Sequence, residues 1–236
     1  MFHQNSPHRH KSEGFCVVKA AGKLFAAALG IFVLQMPGAL TLAQGQPSLN
    51  GVLADPGERA HVLDAARRAT VVINNPCASA TFDLTDVVVV YRPLTVDATG
   101  AITGGAWKQV VREEGCGSIR TLNVLAYVQG PKSLATTPLL PGTTHADPQL
   151  QKDGARYAGT AAGLPEKNCG IGYIADTEFL RRDEATPSGG KGPPWTELWT
   201  LVSCSGTTQV SMHFVPDNTG TTIGAGPMKL IPHGSK

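Results

Sequence analysis

The chain carries the same ordered set of landmarks twice. Ala54-Asp55-Pro56 is followed by Cys77, Trp107 and Cys116, and Ala146-Asp147-Pro148 by Cys169, Trp195 and Cys204. Asp and the first Cys stand 22 positions apart in both copies, Trp and the second Cys 9 apart in both, and only the middle interval differs, 30 against 26. A self-similarity of roughly 90 residues constrains the fold to two like units in tandem. Units of that size bury limited apolar surface and gain from a covalent staple.

The N-terminal region has the three-part plan of a secretory leader. Arg9, His10, Lys11, Lys19 and Lys23 precede an apolar run at 24–34, and Pro37, Gly38 and Thr41-Leu42-Ala43 follow it, which places cleavage between Ala43 and Gln44. Gln35, Pro37 and Gly38 interrupt the run, and it falls short of the about 20 apolar residues that span a bilayer. Cys16 lies before the run, so it is not placed to anchor a lipid. The domain reading is therefore a signal peptide at 1–43, a mobile mature N-terminus at 44–53, repeat unit one with its linker at 54–144, and repeat unit two at 145–236.

Removal of the leader leaves four of the five cysteines. In an exported chain that number argues for two disulfides. Four cysteines allow three pairings, and pairing inside each unit, Cys77 with Cys116 and Cys169 with Cys204, is favoured because each copy then carries its own bridge. The mature segment has 16 basic and 17 acidic side chains against a whole-chain net charge of +2. Its charge therefore gives no reason to propose nucleic acid or an anionic membrane as partner, and no membrane span is expected after cleavage.

Local patterning gives each unit a helix and then strands. Asp55-Pro56 with Glu58 has the residue types of a helix N-terminus, and Ala60, Val62, Leu63, Ala66 and Ala69 follow at helical spacing. Asp147-Pro148 opens a second helical run through Ala162, weakened by Gly154 and Gly159. Strands are predicted at 81–84, 87–91, 107–112 and 119–128, and again at 171–180, 195–204, 209–215 and 221–223. The clearest alternation, Leu122, Val124, Ala126 and Val210, Met212, Phe214, stands 6, 8 and 10 residues after the second Cys in both copies. Turns such as Asp97-Ala98-Thr99-Gly100 and Pro187-Ser188-Gly189-Gly190 separate the runs, and short connections favour antiparallel pairing. Residues 130–144, with Pro131, Pro138, Pro141 and Gly142, are predicted to form the linker. The fold class is α+β, two tandem repeats, each a helix packed on a small antiparallel sheet with one internal disulfide. A pair of all-β sandwiches is the alternative.

Chemistry is sparse. No G-x-S-x-G, H-E-x-x-H, P-loop or G-x-G-x-x-G motif is present, and Ile223-Gly224-Ala225-Gly226-Pro227 is read as a turn. No catalytic residue, cofactor or metal site is assigned, because the cysteines lack the close ligand pairs of zinc sites. His61, His145, His213 and His233 form no ligand pair. Among the local carboxylate pairs Asp83 and Asp86, Glu113 and Glu114, Asp176 and Glu178, and Asp183 and Glu184, only Asp176 and Glu178 share a strand face. Trp195, Glu197 and Trp199 also lie on one face of a strand, and their clustering makes them candidates for ligand binding as well as for the core. Trp199 has Val111 as its counterpart, so unit two is the better place for such a patch.

These features point to an exported, non-catalytic structural or binding protein of the bacterial-type cell envelope, periplasmic or secreted, with an envelope protein or glycan as partner. The alternatives are a secreted hydrolase with its site in the cleft between the units, and a secreted adhesin or effector.

Overall fold

The computed structural model describes residues 47–72, 77–130, 133–164, 166, 167, 169, 172–184 and 190–232. The expected leader at 1–43, the turn at Pro187-Ser188-Gly189 and His233 lie outside them. The described chain is a mixed α+β protein containing two four-stranded antiparallel sheets and two disulfides. No helix among the described residues is long and apolar enough to cross a membrane.

Two helices precede the first sheet: α1 (Leu49–Ala54) and α2 (Pro56–Val72). Ser48 caps α1 by accepting from Gly51 N, and Asp55 accepts from Glu58 N at 3.0 Å at the start of α2. These side chains satisfy N–H groups that a helix start leaves without partners. The sheet follows as a meander of β1 (Thr81–Val96), β2 (Ile102–Gly115), β3 (Ser118–Gly130) and β4 (Ser133–Pro138), in that spatial order. Val62, Ala65 and Ala66 of α2 close on Val111, Leu122 and Val124 of β2 and β3. Val52 of α1 joins Trp107 and Ala126.

A helix also precedes the second sheet. Helix α3 (Pro148–Ala161), capped by Asp147 through Leu150 N, precedes β5 (Gly172–Arg182), β6 (Trp195–Ser203), β7 (Gly206–Pro216) and β8 (Thr221–Pro232). Its core is larger and aromatic: Trp195, Trp199, Leu201, Val210, Met212 and Phe214 pack with Ile174, Ala146 and Ala158. Gly154, read from sequence as a weakness in α3, has a packing role. A side chain there would place Cβ 2.7 Å from Trp199 Cη2, so glycine lets the helix lie directly on the indole. The disulfides are Cys77–Cys116 and Cys169–Cys204. Each ties the segment before the first strand of a sheet to the hairpin between its second and third strands.

Four sequence expectations are corrected. First, the N-terminal segment expected to be mobile at 44–53 holds α1 from Leu49 onward, because Val52 finds a buried place against Trp107. Second, the linker contains β4, whose residues 133–138 pair with β3 from Val128↔Leu134 to Val124↔Pro138. Its Thr and Pro content masks a strand that ends where Pro138 can no longer donate. Third, the two fragments at 81–84 and 87–91 are one strand, broken in pattern by an irregularity between Leu84 and Val88 where Thr85 Oγ1 donates to Val110 O. Fourth, the supposed turn at 223–227 runs inside β8, with a register shift opposite Val210 and Met212. An edge strand with a bulge tolerates Pro227, which a central strand would not.

The stretch after β4 joins the sheets. Leu139 N and Gly142 N donate to Asn123 O and Thr121 O of β3, Thr143 N donates to Thr177 O of β5, and Thr177 Oγ1 donates back to Pro141 O. Gly142 makes this crossing possible. Its φ is +96°, and a Cβ would fall 2.0 Å from Thr177 O. Gly142→Ala therefore combines a disfavoured backbone conformation with a backbone clash, for which about 3 kcal/mol of destabilisation is expected. Urea unfolding of the variant checks it, and an unchanged midpoint would mean that the crossing relaxes freely.

Candidate binding site at the junction of the sheets

The residues singled out for binding, Trp195, Glu197 and Trp199, are brought together, but inside the core. Glu197 and Trp199 are 0% exposed and Trp195 9%. Period-two alternation puts all three on one face of β6, where α3 lies on Trp199 at Gly154 and the end of the linker meets Glu197 at His145 N. Glu197 Oε1 accepts from Trp195 Nε1 and from the backbone N–H of His145, and Oε2 accepts from Trp199 Nε1, each at 2.8 Å. Trp195 stacks on Phe214 with centroids 4.9 Å apart. A buried carboxylate is tolerated only when its oxygens are well supplied with donors, and here two indoles and a peptide supply them. The three residues form an internal clamp that anchors the end of the linker to β6; Glu197 and Trp199 are wholly enclosed, and an edge of Trp195 reaches the junction cavity. In the first sheet Gln109 occupies the equivalent place, and the buried Trp107 Nε1 has no partner.

Beside the clamp a cavity of about 480 Å³ opens at the junction. Its floor comes from β2 and β3. Because Val111, Leu122 and Val124 face α2, the alternate residues Lys108, Val110 and Asn123 face the other way, and Val110 stands opposite Asn123 in the register. Tyr91 and Val89 of β1, Thr143, Thr144 and His145 of the linker, Arg182 at the end of β5, and Trp195 complete the wall. Lys108 is 8% exposed, and its Nζ donates to Thr144 O at 3.4 Å. Asn123 is 1% exposed. Its Nδ2 donates to Leu140 O and Gly142 O, while its Oδ1 has no partner.

At the rim His145 stacks on Phe179, centroids 4.0 Å apart, and its Nδ1 lies 3.3 Å from Arg182 Nη2. Burial pulls the Lys108 ammonium below the usual lysine range, with Glu197 opposing. Burial also lowers His145; Glu197 opposes this, while Arg182 and Lys108 reinforce it. Burial pushes the Tyr91 phenol up to about 12, with Asp147 adding to the effect, so Tyr91 keeps its proton and is a donor.

The remaining candidates are dispersed. Glu113 is buried and pairs with Arg120 at 2.7 Å, and Glu114 meets Arg112 on the surface. Asp183 lies 3.6 Å from Arg181 Nε. Asp83 and Asp86 are exposed on β1, and Glu184 is exposed beyond β5. His61 offers its backbone carbonyl to Thr136 Oγ1, and His213 Nδ1 meets Thr196 Oγ1 at 3.1 Å.

Asp176 and Glu178 do share a face, on either side of the buried Thr177, and line a smaller cleft of about 340 Å³ with Arg120 and Gly142. Asp176 is exposed as a residue, yet the chain crossing at Gly142 shields its carboxyl. That desolvation raises its pKa against the hydrogen bond from Thr177, and Glu178 raises it further. Glu166, Cys169 and Cys204 lie within metal-ligating distance of one another, but both sulfurs are spent in the disulfide, and Glu166 accepts from the hydroxyls of Ser203 and Ser205. A cavity of about 550 Å³ between Leu122, Leu140, Ala155 and Ile174 is almost wholly apolar.

Lys108, Asn123, Tyr91 and Arg182 were not among the residues selected from sequence. One signal was available: the duplication aligns Lys108 with Thr196 and Asn123 with Ser211, so both are departures from the shared pattern. No protein-family model matches the chain, and neither does any curated protein or solved structure.

Proposed function

We propose that the chain is two copies of one helix-and-sheet unit, each closed by its own disulfide, and that it is an exported binding protein of the bacterial-type cell envelope. The observation that carries the binding reading is the junction cavity, whose floor is buried and polar and whose hydrogen-bonding capacity is only partly used. Concave sites with a few placed polar groups among apolar walls are the common form of small-ligand sites. Two intramolecular disulfides fit an oxidising compartment outside the cytosol. The partner is an envelope protein or glycan, and its recognition does not require a cofactor.

A second reading is kept because of Asp176. A carboxyl with raised pKa beside a second carboxylate in a cleft is the arrangement a secreted hydrolase would use, with Asp176 as acid and Glu178 as base. One experiment separates the two. The protein is expressed with its leader in a bacterium, recovered from the periplasm or medium, and incubated with polymeric envelope glycan. Retention on the polymer with no soluble product supports the binding protein, and the N-terminus should begin at Gln44. Release of product that disappears in Asp176→Asn supports the hydrolase and removes the first reading.

A further inference from the structure

We infer that the junction cavity takes a small carboxylate carrying an apolar body, with Lys108 and Arg182 as its charged contacts. The inference rests on the reading of this chain as a binding protein and adds the chemical class of ligand.

The first support is incomplete pairing. Lys108 is almost wholly buried, but its one hydrogen bond is a 3.4 Å contact to a carbonyl. The carboxylate acting on it, Glu197, already serves two indoles and a peptide N–H. Among the described residues no carboxylate forms an ion pair with Lys108 or Arg182, and Arg182 has only the His145 ring beside it. Burying a basic group without a close counter-charge is costly, so the buried Lys108, with the exposed Arg182 at the rim of the same cavity and no acidic residue lining it, leaves a place for an anion.

The second support is independent of charge balance. The second sheet carries Thr196 where the first carries Lys108, so the fold does not require a lysine there, whereas Asn123 holds the crossing by donating to the Leu140 and Gly142 carbonyls.

The walls then select among anions. Val87, Val89, Val110 and Trp195 offer apolar surface next to the basic groups. A hydrated phosphate would leave that surface unused. A carboxylate on a hydrocarbon or ring would cover it while its two oxygens meet Arg182 and Lys108 and the Tyr91 hydroxyl donates. A guanidinium matches a carboxylate in bidentate geometry. The volume lies within the range of small-molecule sites.

The test is calorimetric titration of the full exported protein with hexanoate, inorganic phosphate and hexylamine as probes. Hexanoate should bind with Kd of about 1 mM or tighter, phosphate should bind at least about tenfold more weakly, and hexylamine should give no heat. Arg182→Gln, at the exposed rim, should weaken hexanoate by about tenfold without changing the unfolding midpoint, and Lys108→Met should abolish it. Should Lys108→Met fail to fold, Arg182→Gln alone decides. Hexanoate binding that Arg182→Gln leaves unchanged, tighter binding of phosphate, or no binding of hexanoate at about 10 mM would each overturn the assignment. A protein that is retained on envelope glycan yet ignores hexanoate keeps the binding reading and loses the carboxylate site.

Discussion

With both disulfides reduced, the free energy of unfolding is expected to fall by about 8 kcal/mol, enough to unfold much of the population at 37 °C. The bridges close loops with sequence separations of 39 and 35, and loops of that length correspond to about 4 kcal/mol each in the chain-entropy model. The total stability of a domain is about 5–15 kcal/mol, so the loss is comparable with the whole. Urea titration followed by tryptophan fluorescence, with and without reductant, measures it. The double variants Cys77→Ser/Cys116→Ser and Cys169→Ser/Cys204→Ser divide the effect. A single shared transition in each would mean that the crossing at 139–143 couples the sheets into one cooperative block. Two separated transitions would mean that each sheet melts alone. A reduced protein that retains its midpoint would show that the packed cores suffice without the staples.

Glu197→Ala is expected to cost about 5 kcal/mol, because three buried donors lose their acceptor together at about 1–3 kcal/mol each. The donors are Trp195 Nε1, Trp199 Nε1 and His145 N. Glu197→Gln keeps the shape but sets an N–H against one of those donors, and about 2–3 kcal/mol is expected there. Both variants should broaden the near-ultraviolet signal of the indoles, since Trp195 and Trp199 lose their fixed orientation. Loss of the carboxylate also removes the group that opposes desolvation of Lys108, so its pKa should fall further. A Glu197→Ala protein as stable as the parent would place the clamp outside the folded core and contradict its zero exposure.

Much of the scaffold was legible because its signals are local. The Asp-Pro pairs marked the starts of α2 and α3, and the alternation at 122, 124, 126 and 210, 212, 214 marked core strands whose six residues are at most 2% exposed. Repetition also made within-unit pairing of the cysteines the natural choice. β4 was hidden because Thr, Ser and Pro at 133–138 read as a linker, and β8 because Gly224, Gly226 and Pro227 read as a turn. In both strands pairing with a neighbour overrides weak local preference. The site was less legible. Alternation says that Trp195, Glu197 and Trp199 share a face, but only the docking of α3 on Trp199 and of the linker on Glu197 says that this face is covered. Lys108 looks like a solvent-facing strand residue until the linker returns across it from 36 positions away.

The crossing at 139–143 also bears on self-association. Unpaired strand edges invite pairing with other chains, and a protein with two separate sheets has four of them. Residues 141–143 engage β5 at Thr177 and Phe179, and β4 meets α2 through Thr136 and His61, which leaves β1 and β8 as the open outer edges. Both are poor templates. β1 carries Asp83, Asp86, Arg92 and Pro93 and a broken register, and β8 carries Pro227, Lys229 and Pro232 with a bulge. Prolines, charges and bulges on an edge blunt it against growth. An apolar run such as Val87-Val88-Val89-Val90 at such a margin is thereby kept from templating a neighbouring chain.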